Sequence, residues 1–177
     1  MLIQNNTRKN MKEFTFNTTP NIRFGVGMLS HINTIDLIKA ESRILLITDP
    51  GISQTKILDQ AINSIELSKS EVMVFSEVQS DPPESTVMDA TNLAIKNNIN
   101  LIIGLGGGSS MDVAKLVAVL ALEKQSLSEI YGIGNAKGPR LPLILIPTTA
   151  GTGSEVTAVS IITTGDTEKM GAVSPIL

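Results

Sequence analysis

Four glycines within five residues, Gly104, Gly106, Gly107 and Gly108, run directly into Ser109 and Ser110. They stand between an apolar run that begins at Leu101 and a segment of helical spacing that reaches Leu122. Glycine admits positive φ and lets a ligand approach the main chain without meeting a Cβ. A helix start offers unpaired N–H groups and the positive end of its dipole. With two hydroxyls added, the combination suits a phosphate group, although a tight turn alone would also use glycines. The stretch is not G-x-x-x-x-G-K-[ST], and Ser109 breaks G-x-G-x-x-G at its sixth place.

Two other stretches carry polar groups at the ends of apolar runs. Thr148, Thr149, Thr152, Ser154 and Thr157 place five hydroxyls in ten residues beside Gly151 and Gly153. Local capping is the ordinary use of turn threonines, but this density suits contacts to phosphate, ribose or a carboxamide. Asp49 follows the run Ile44–Thr48. Its carboxylate could accept hydrogen bonds from the 2′- and 3′-hydroxyls of a ribose and repel a 2′-phosphate, or simply cap a turn. Asp112 lies in the first turn after the glycines, where it complements the helix dipole. His31 is the single histidine and reads as a surface residue without a chemical role.

These residues need elements that bring strand ends to one edge. Ile44–Thr48, Val72–Phe75, Leu101–Ile103 and Leu143–Ile146 are short, continuously apolar runs, the pattern of parallel strands buried on both faces. Helical spacing occupies Leu29–Lys39, Ile57–Ile65, Glu84–Lys96 after Asp81-Pro82-Pro83, and Met111–Leu122. Strands alternating with helices predict an α/β fold, a Rossmann-like parallel sheet with flanking helices and right-handed crossovers. The glycine turn follows the third strand of that sheet, whereas the ordinary dinucleotide fingerprint follows the first. Ligands of open parallel sheets sit at the carboxyl ends of the strands. Asp49-Pro50-Gly51, the glycine-serine turn and the Pro147–Thr157 segment should therefore line one groove.

The remaining segments give further expectations. Phe14–Phe24 reads as an N-terminal β-hairpin, Ser128–Pro142 as a long loop, and Val159–Thr163 with Ala172–Val173 as strands joined through Gly165-Asp166. Residues 1–13 read as a disordered lead-in and 14–177 as one domain.

Composition excludes several function classes. The 177 residues carry a net charge of −3 with no lysine- or arginine-rich block, which disfavours nucleic acid and anionic membranes as partners. No cysteine is present, so disulfides, thiolate metal sites and cysteine nucleophiles are excluded, and one histidine cannot make a histidine metal cluster. No G-x-S-x-G elbow occurs. Asp112 and Lys115 interrupt the longest apolar run and no signal-peptide pattern is present, so a cytoplasmic location is expected.

GGGSSMDVAK (Gly106–Lys115) together with IPTTAGTGSEVT (Ile146–Thr157) resembles the iron-containing, group III alcohol dehydrogenases. The resemblance extends to FGVGML (Phe24–Leu29), LLITDPGI (Leu45–Ile52) and KMGAVSP (Lys169–Pro175). It implies a dehydroquinate synthase-like NAD(P)-binding domain over 14–177. A helical domain, absent from this chain, would supply an aspartate and three histidines as ligands for Fe2+ or Zn2+. Carried over by position, Asp49 would hold the adenine-side ribose and favour NAD over NADP. Gly107, Gly108, Ser109 and Ser110 would wrap the pyrophosphate, with Gly106 and Asp112 counted in the same cofactor-binding set. Thr148, Thr149, Thr152 and Thr157 would contact the phosphate and nicotinamide-ribose region, and Lys169 would reach the cofactor from the late hairpin. No catalytic residue and no metal ligand is expected within the chain. The implied activity is hydride transfer between small alcohols and aldehydes or ketones, by a homo-oligomer whose cofactor domain is inactive alone. The alternatives are a non-catalytic NAD-binding module, half of a split enzyme, or a relative resembling glycerol dehydrogenase or dehydroquinate synthase.

Overall fold

In a computed structural model, which describes residues 19–165 and 167–177, the four apolar runs pair into one parallel sheet. A 3-10 segment, Met28–Thr34, leads into β1 (Arg43–Ile47), α1 (Pro50–Ser53), α2 (Lys56–Glu66) and β2 (Glu71–Phe75). There follow α3 (Glu84–Lys96), β3 (Leu101–Gly106), α4 (Gly108–Leu120), α5 (Leu127–Ile130), β4 (Gly132–Ile133) and β5 (Leu143–Pro147). A 3-10 turn, Ser154–Val156, precedes β6 (Val159–Thr164) and β7 (Glu168–Val173). The main sheet has the order β2-β1-β3-β5, and a smaller one the order β4-β7-β6.

The apolar runs are continuous because both faces of the sheet are covered. Leu45, Ile47 and Ile102 point into a cluster with Val87, Ala90, Val113 and Val117 of α3 and α4. Their neighbours Ile44, Leu46, Leu101, Ile103 and Leu105 point the other way, toward Leu58, Ala61 and Ile65 of α2 and Ile32. Each such aliphatic side chain contributes roughly 1.5–3 kcal/mol when fully buried. α2 shows the one-sided stripe of a surface helix, whereas α4 is buried from Ser110 to Leu120, the half-buried Asp112 excepted, between the sheet, α3 and β6. The closeness of α4 depends on Gly104, where a Cβ would stand 2.8 Å from that of Ala114 and 3.0 Å from Leu145 Cδ2.

The strands and α2, α3 and α4 lie where the apolar spacing predicts them, and three local expectations fail. The helix expected over Leu29–Lys39 is a 3-10 segment that ends at Thr34. There the Thr34 hydroxyl donates to the His31 carbonyl (2.7 Å) and the Asn33 N–H donates to Ser64 Oγ (3.4 Å), local bonds that compete with an α-helix. The Ser128–Pro142 loop contains part of α5 and all of β4, with Ser126 and Glu129 forming a capping box. β7 is longer than its predicted Ala172–Val173. The first strand of the expected Phe14–Phe24 hairpin lies outside the described residues. Residues 1–18, with the expected lead-in over 1–13, lie outside them, and Asn21–Phe24 belongs to no strand among the described residues.

Candidate functional site

From β1 the chain crosses to β2 on one side of it, and then returns to β3 on the other. The loops leaving β1 and β3 therefore diverge, and a crevice opens at the carboxyl ends of these two neighbours, the position where doubly wound sheets bind ligands. A groove of about 440 Å³ lies there, lined by Asp49–Ile52, Val78–Ser80, Gly107–Ser110, Thr148 and Thr149. It draws on the ends of all four strands of the main sheet.

The end of α4 facing this groove has no side-chain cap. Gly107 occupies the N-cap in an extended conformation (φ −79°, ψ −171°) and has no side chain to offer the first turn. Met111 N–H returns to the Gly107 carbonyl at 3.2 Å. The N–H groups ahead of it are the orphan donors of a helix start. Thr149 Oγ1 would stand 3.3 Å from a Cβ at Gly107, and Thr152 Cβ 3.4 Å from one at Gly108. A side chain at Gly107 would press on Thr149, and one at Gly108 would meet Thr152 at ordinary contact distance. No lysine or arginine is among the lining residues. An anion here would be held by backbone donors and the helix dipole.

Asp49 performs the bland role foreseen for it and leaves one oxygen over. As N-cap of α1 its Oδ1 accepts from Ile52 N–H at 3.0 Å, which turns the predicted loop into one helical turn. Its Oδ2 faces the buried Ser110 Oγ at 3.5 Å. Gly106 brings these groups together: at φ +155° it is a conformation that favours glycine, and a Cβ there would stand 2.6 Å from Ser110 Oγ and 3.0 Å from Asp49 Oδ2. Gly106 thus makes room behind the groove and is not part of its lining. The Thr48 hydroxyl, beside Asp49, is buried without a partner among the described residues.

Of the twelve residues singled out in the sequence, seven line the groove: Asp49, Gly107, Gly108, Ser109, Ser110, Thr148 and Thr149. Asp112 is placed elsewhere. Its carboxylate accepts from the Ser154 hydroxyl and from Ile161 N–H (3.0 Å), on the flank of α4 turned away from the groove. Thr152 stands beside Gly108 without lining the groove, and Thr157 offers its carbonyl to Lys115 Nζ at 2.8 Å. Lys169 pairs with Asp81 and donates to Thr163 Oγ1, next to the wall formed by Ser80. Val78, Gln79 and Ser80 are lining residues that the sequence did not single out. Their position just after a parallel strand was the available signal.

A second concavity, about 650 Å³, lies on the outer face of α2 between Ser30, Lys56, Gln60 and Leu67. It has neither a glycine turn nor an open helix end and shares no lining residue with the groove at the strand ends. Among the described residues no group of three or more His, Cys, Asp or Glu is placed to hold a metal ion, so these residues do not fit an iron. Among them, too, no helix is long and apolar enough to cross a membrane.

The family description "Iron-containing alcohol dehydrogenase" matches residues 19–177. Choline dehydrogenase of Bacillus subtilis (strain 168) is 38% identical over 165 residues, which span 90% of this chain and 41% of that protein. A crystal structure of 1,3-propanediol oxidoreductase superimposes with a TM-score of 0.86 at 26% identity, covering 92% of this chain and 43% of that one. Sulfoacetaldehyde reductase from Bifidobacterium kashiwanohense, solved in complex with NAD+, matches with a TM-score of 0.80 at 29% identity, covering 93% and 44%. The chain thus spans less than half the length of these relatives. The glycine-turned switch point, the fold around it and the match over 19–177 lead to one assignment: this chain belongs to the iron-containing alcohol dehydrogenase family.

Proposed function

We propose that this chain is the dinucleotide-binding part of an NAD-dependent, metal-dependent oxidoreductase that interconverts small alcohols with aldehydes or ketones. The observation that carries the reading is the uncapped N-terminus of α4 at the β1/β3 switch point, with two glycines where a side chain would fill the cradle. In this reading the N–H groups of Gly108, Ser109 and Ser110 hold the pyrophosphate. Asp49 Oδ2, left free by the cap, accepts from the adenine-side ribose and disfavours a 2′-phosphate. Thr148 and Thr149 contact the phosphate from the opposite wall, with Thr152, Thr157 and Lys169 further along the ligand. NAD, when bound, supplies the hydride acceptor and, reduced, the donor. The metal and the substrate contacts come from outside the described residues.

Calorimetry on the purified chain tests this. NAD should bind with one site per chain and NADP more weakly, and Asp49→Asn should narrow the gap. Absence of NAD binding at millimolar concentration would refute the reading. Vigorous NAD-dependent alcohol oxidation by the chain alone, supplied with iron, would refute its division of labour. The proposal includes self-association, because the apolar Phe24 and Val26 are fully exposed. A concentration-independent monomer in light scattering would remove that part.

A further inference from the structure

We propose that Asp81 is a positioning residue that sets nucleotide affinity from the lip of the groove: its carboxylate retains Lys169, and the ammonium passes to the nucleotide's pyrophosphate on binding. The inference rests on the nucleotide reading above and adds the group from which that lysine must be taken.

The backbone at this lip is tied down without help from the Asp81 carboxylate. Ser80 belongs to the groove wall, and the three residues after it are stitched to β6. Thr163 N–H donates to the Pro82 carbonyl at 2.9 Å, and the Thr163 hydroxyl donates to the Asp81 carbonyl at 3.1 Å. Pro83 forms a parallel bridge with Thr163. These bonds hold Asp81 at φ +54°, in the left-handed region that aspartate and asparagine enter more readily than other side chains. The carboxylate is thus spare for another use, and it pairs with Lys169 at the start of β7. Lys169 Nζ also donates to Thr163 Oγ1 at 3.1 Å, so one hydroxyl sits between the two residues.

This pair is placed for exchange and does little to hold the fold. Its side chains are 73% exposed at Asp81 and 44% exposed at Lys169, and water screens most of the attraction between charges so exposed. The groove takes no lysine or arginine from its own lining. A pyrophosphate seated on the open end of α4 would meet backbone donors, and an ammonium on a flexible stem is the complement those donors lack. The pyrophosphate also offers that ammonium more negative charge than one solvated carboxylate does. Asp81 and the nucleotide therefore compete for the same cation. The carboxylate lowers affinity and keeps the nucleotide exchangeable.

The test is a double-variant cycle on the 177-residue chain, read by NAD calorimetry at low salt. Asp81→Asn keeps a side chain suited to the left-handed turn and removes the charge, so it should bind NAD about threefold more tightly, the scale of one exposed ion pair. Lys169→Met should bind about fivefold more weakly, having lost one charge-assisted contact. Adding Asp81→Asn to Lys169→Met should change affinity no further, because the aspartate acts only through the lysine. The gain from Asp81→Asn should fade in molar salt, where exposed charges are screened. An aspartate with only a structural role would not yield a tighter site when neutralised. Unchanged or weaker NAD binding by Asp81→Asn would overturn the inference. An equal gain in the Lys169→Met background would also overturn it, by assigning the effect to direct repulsion between Asp81 and the nucleotide. Wild-type affinity in Lys169→Met would show that the lysine never leaves Asp81, with the same result. A wild-type chain that binds no NAD would instead remove the nucleotide reading, and the exchange with it.

Discussion

The first two turns of α4 have two flanks that treat polar groups in opposite ways. Toward the groove, Gly107 and Gly108 contribute no side chain and no cap, although hydroxyls stand next to them at Ser109 and Ser110. On the other flank, Asp112 and Lys115 direct their polar atoms to partners on 154–161. The helix is therefore not short of capping chemistry. Its donors stay free on one side while its side chains are committed on the other, as expected of an end whose partner arrives from solution.

The largest break in this contrast should come from the committed flank. Asp112→Ala strips the acceptor from Ser154 and Ile161 and leaves Lys115 buried beside no neighbouring carboxylate on its helix. About 3 kcal/mol of stability should be lost, read by urea unfolding. Next is Gly104→Ala, whose Cβ would meet Ala114 Cβ at 2.8 Å. Overpacking of this kind costs about 2 kcal/mol and should lower the melting temperature without a specific effect on NAD. Gly108→Ala reverses the pattern: stability should stay within about 0.5 kcal/mol, while NAD affinity falls about tenfold, about 1.4 kcal/mol. Equal losses from Gly104→Ala and Gly108→Ala in both assays would erase the distinction between packing glycines and groove glycines.

The smallest effect is a pH slope. Because Lys115 titrates below its ordinary value of 10.5 in the folded chain, the unfolded chain binds more protons between the two values. Stability should therefore rise with pH across that window, and the Lys115→Met chain should lack the rise. A wild-type slope no steeper than that of the variant would show that burial does not disfavour this ammonium.

The strands were legible because four or five aliphatic residues in a row have few other places to go in a chain with alternating helices. The glycine turn and Asp49 were legible as a strand-end constellation for the same reason. Asp112 was not, since spacing puts it in the first turn without saying which flank it faces. Lys115 registered only as an interruption of an apolar run. A cation in a helix buried on every side must meet carbonyls or carboxylates, and that signal was present though its partners, 42 and 44 residues away, were not. β4 escaped notice because its pairing with β7 lies some 40 residues off and only two residues of each strand take part.

The strand order also orders assembly in time. β3 pairs with β1 across the intervening β2 and α3, and β5 joins β3 only after α4 and the 121–142 connection have been spanned. Non-local parallel pairings of this sort form slowly, because loop closure precedes the contacts that reward it. A groove that draws one wall from each of four strand ends is complete only when the last strand docks. A nucleotide would then recognise the finished sheet and none of its precursors. Its binding should slow unfolding and raise amide protection across β1, β2, β3 and β5 together rather than strand by strand.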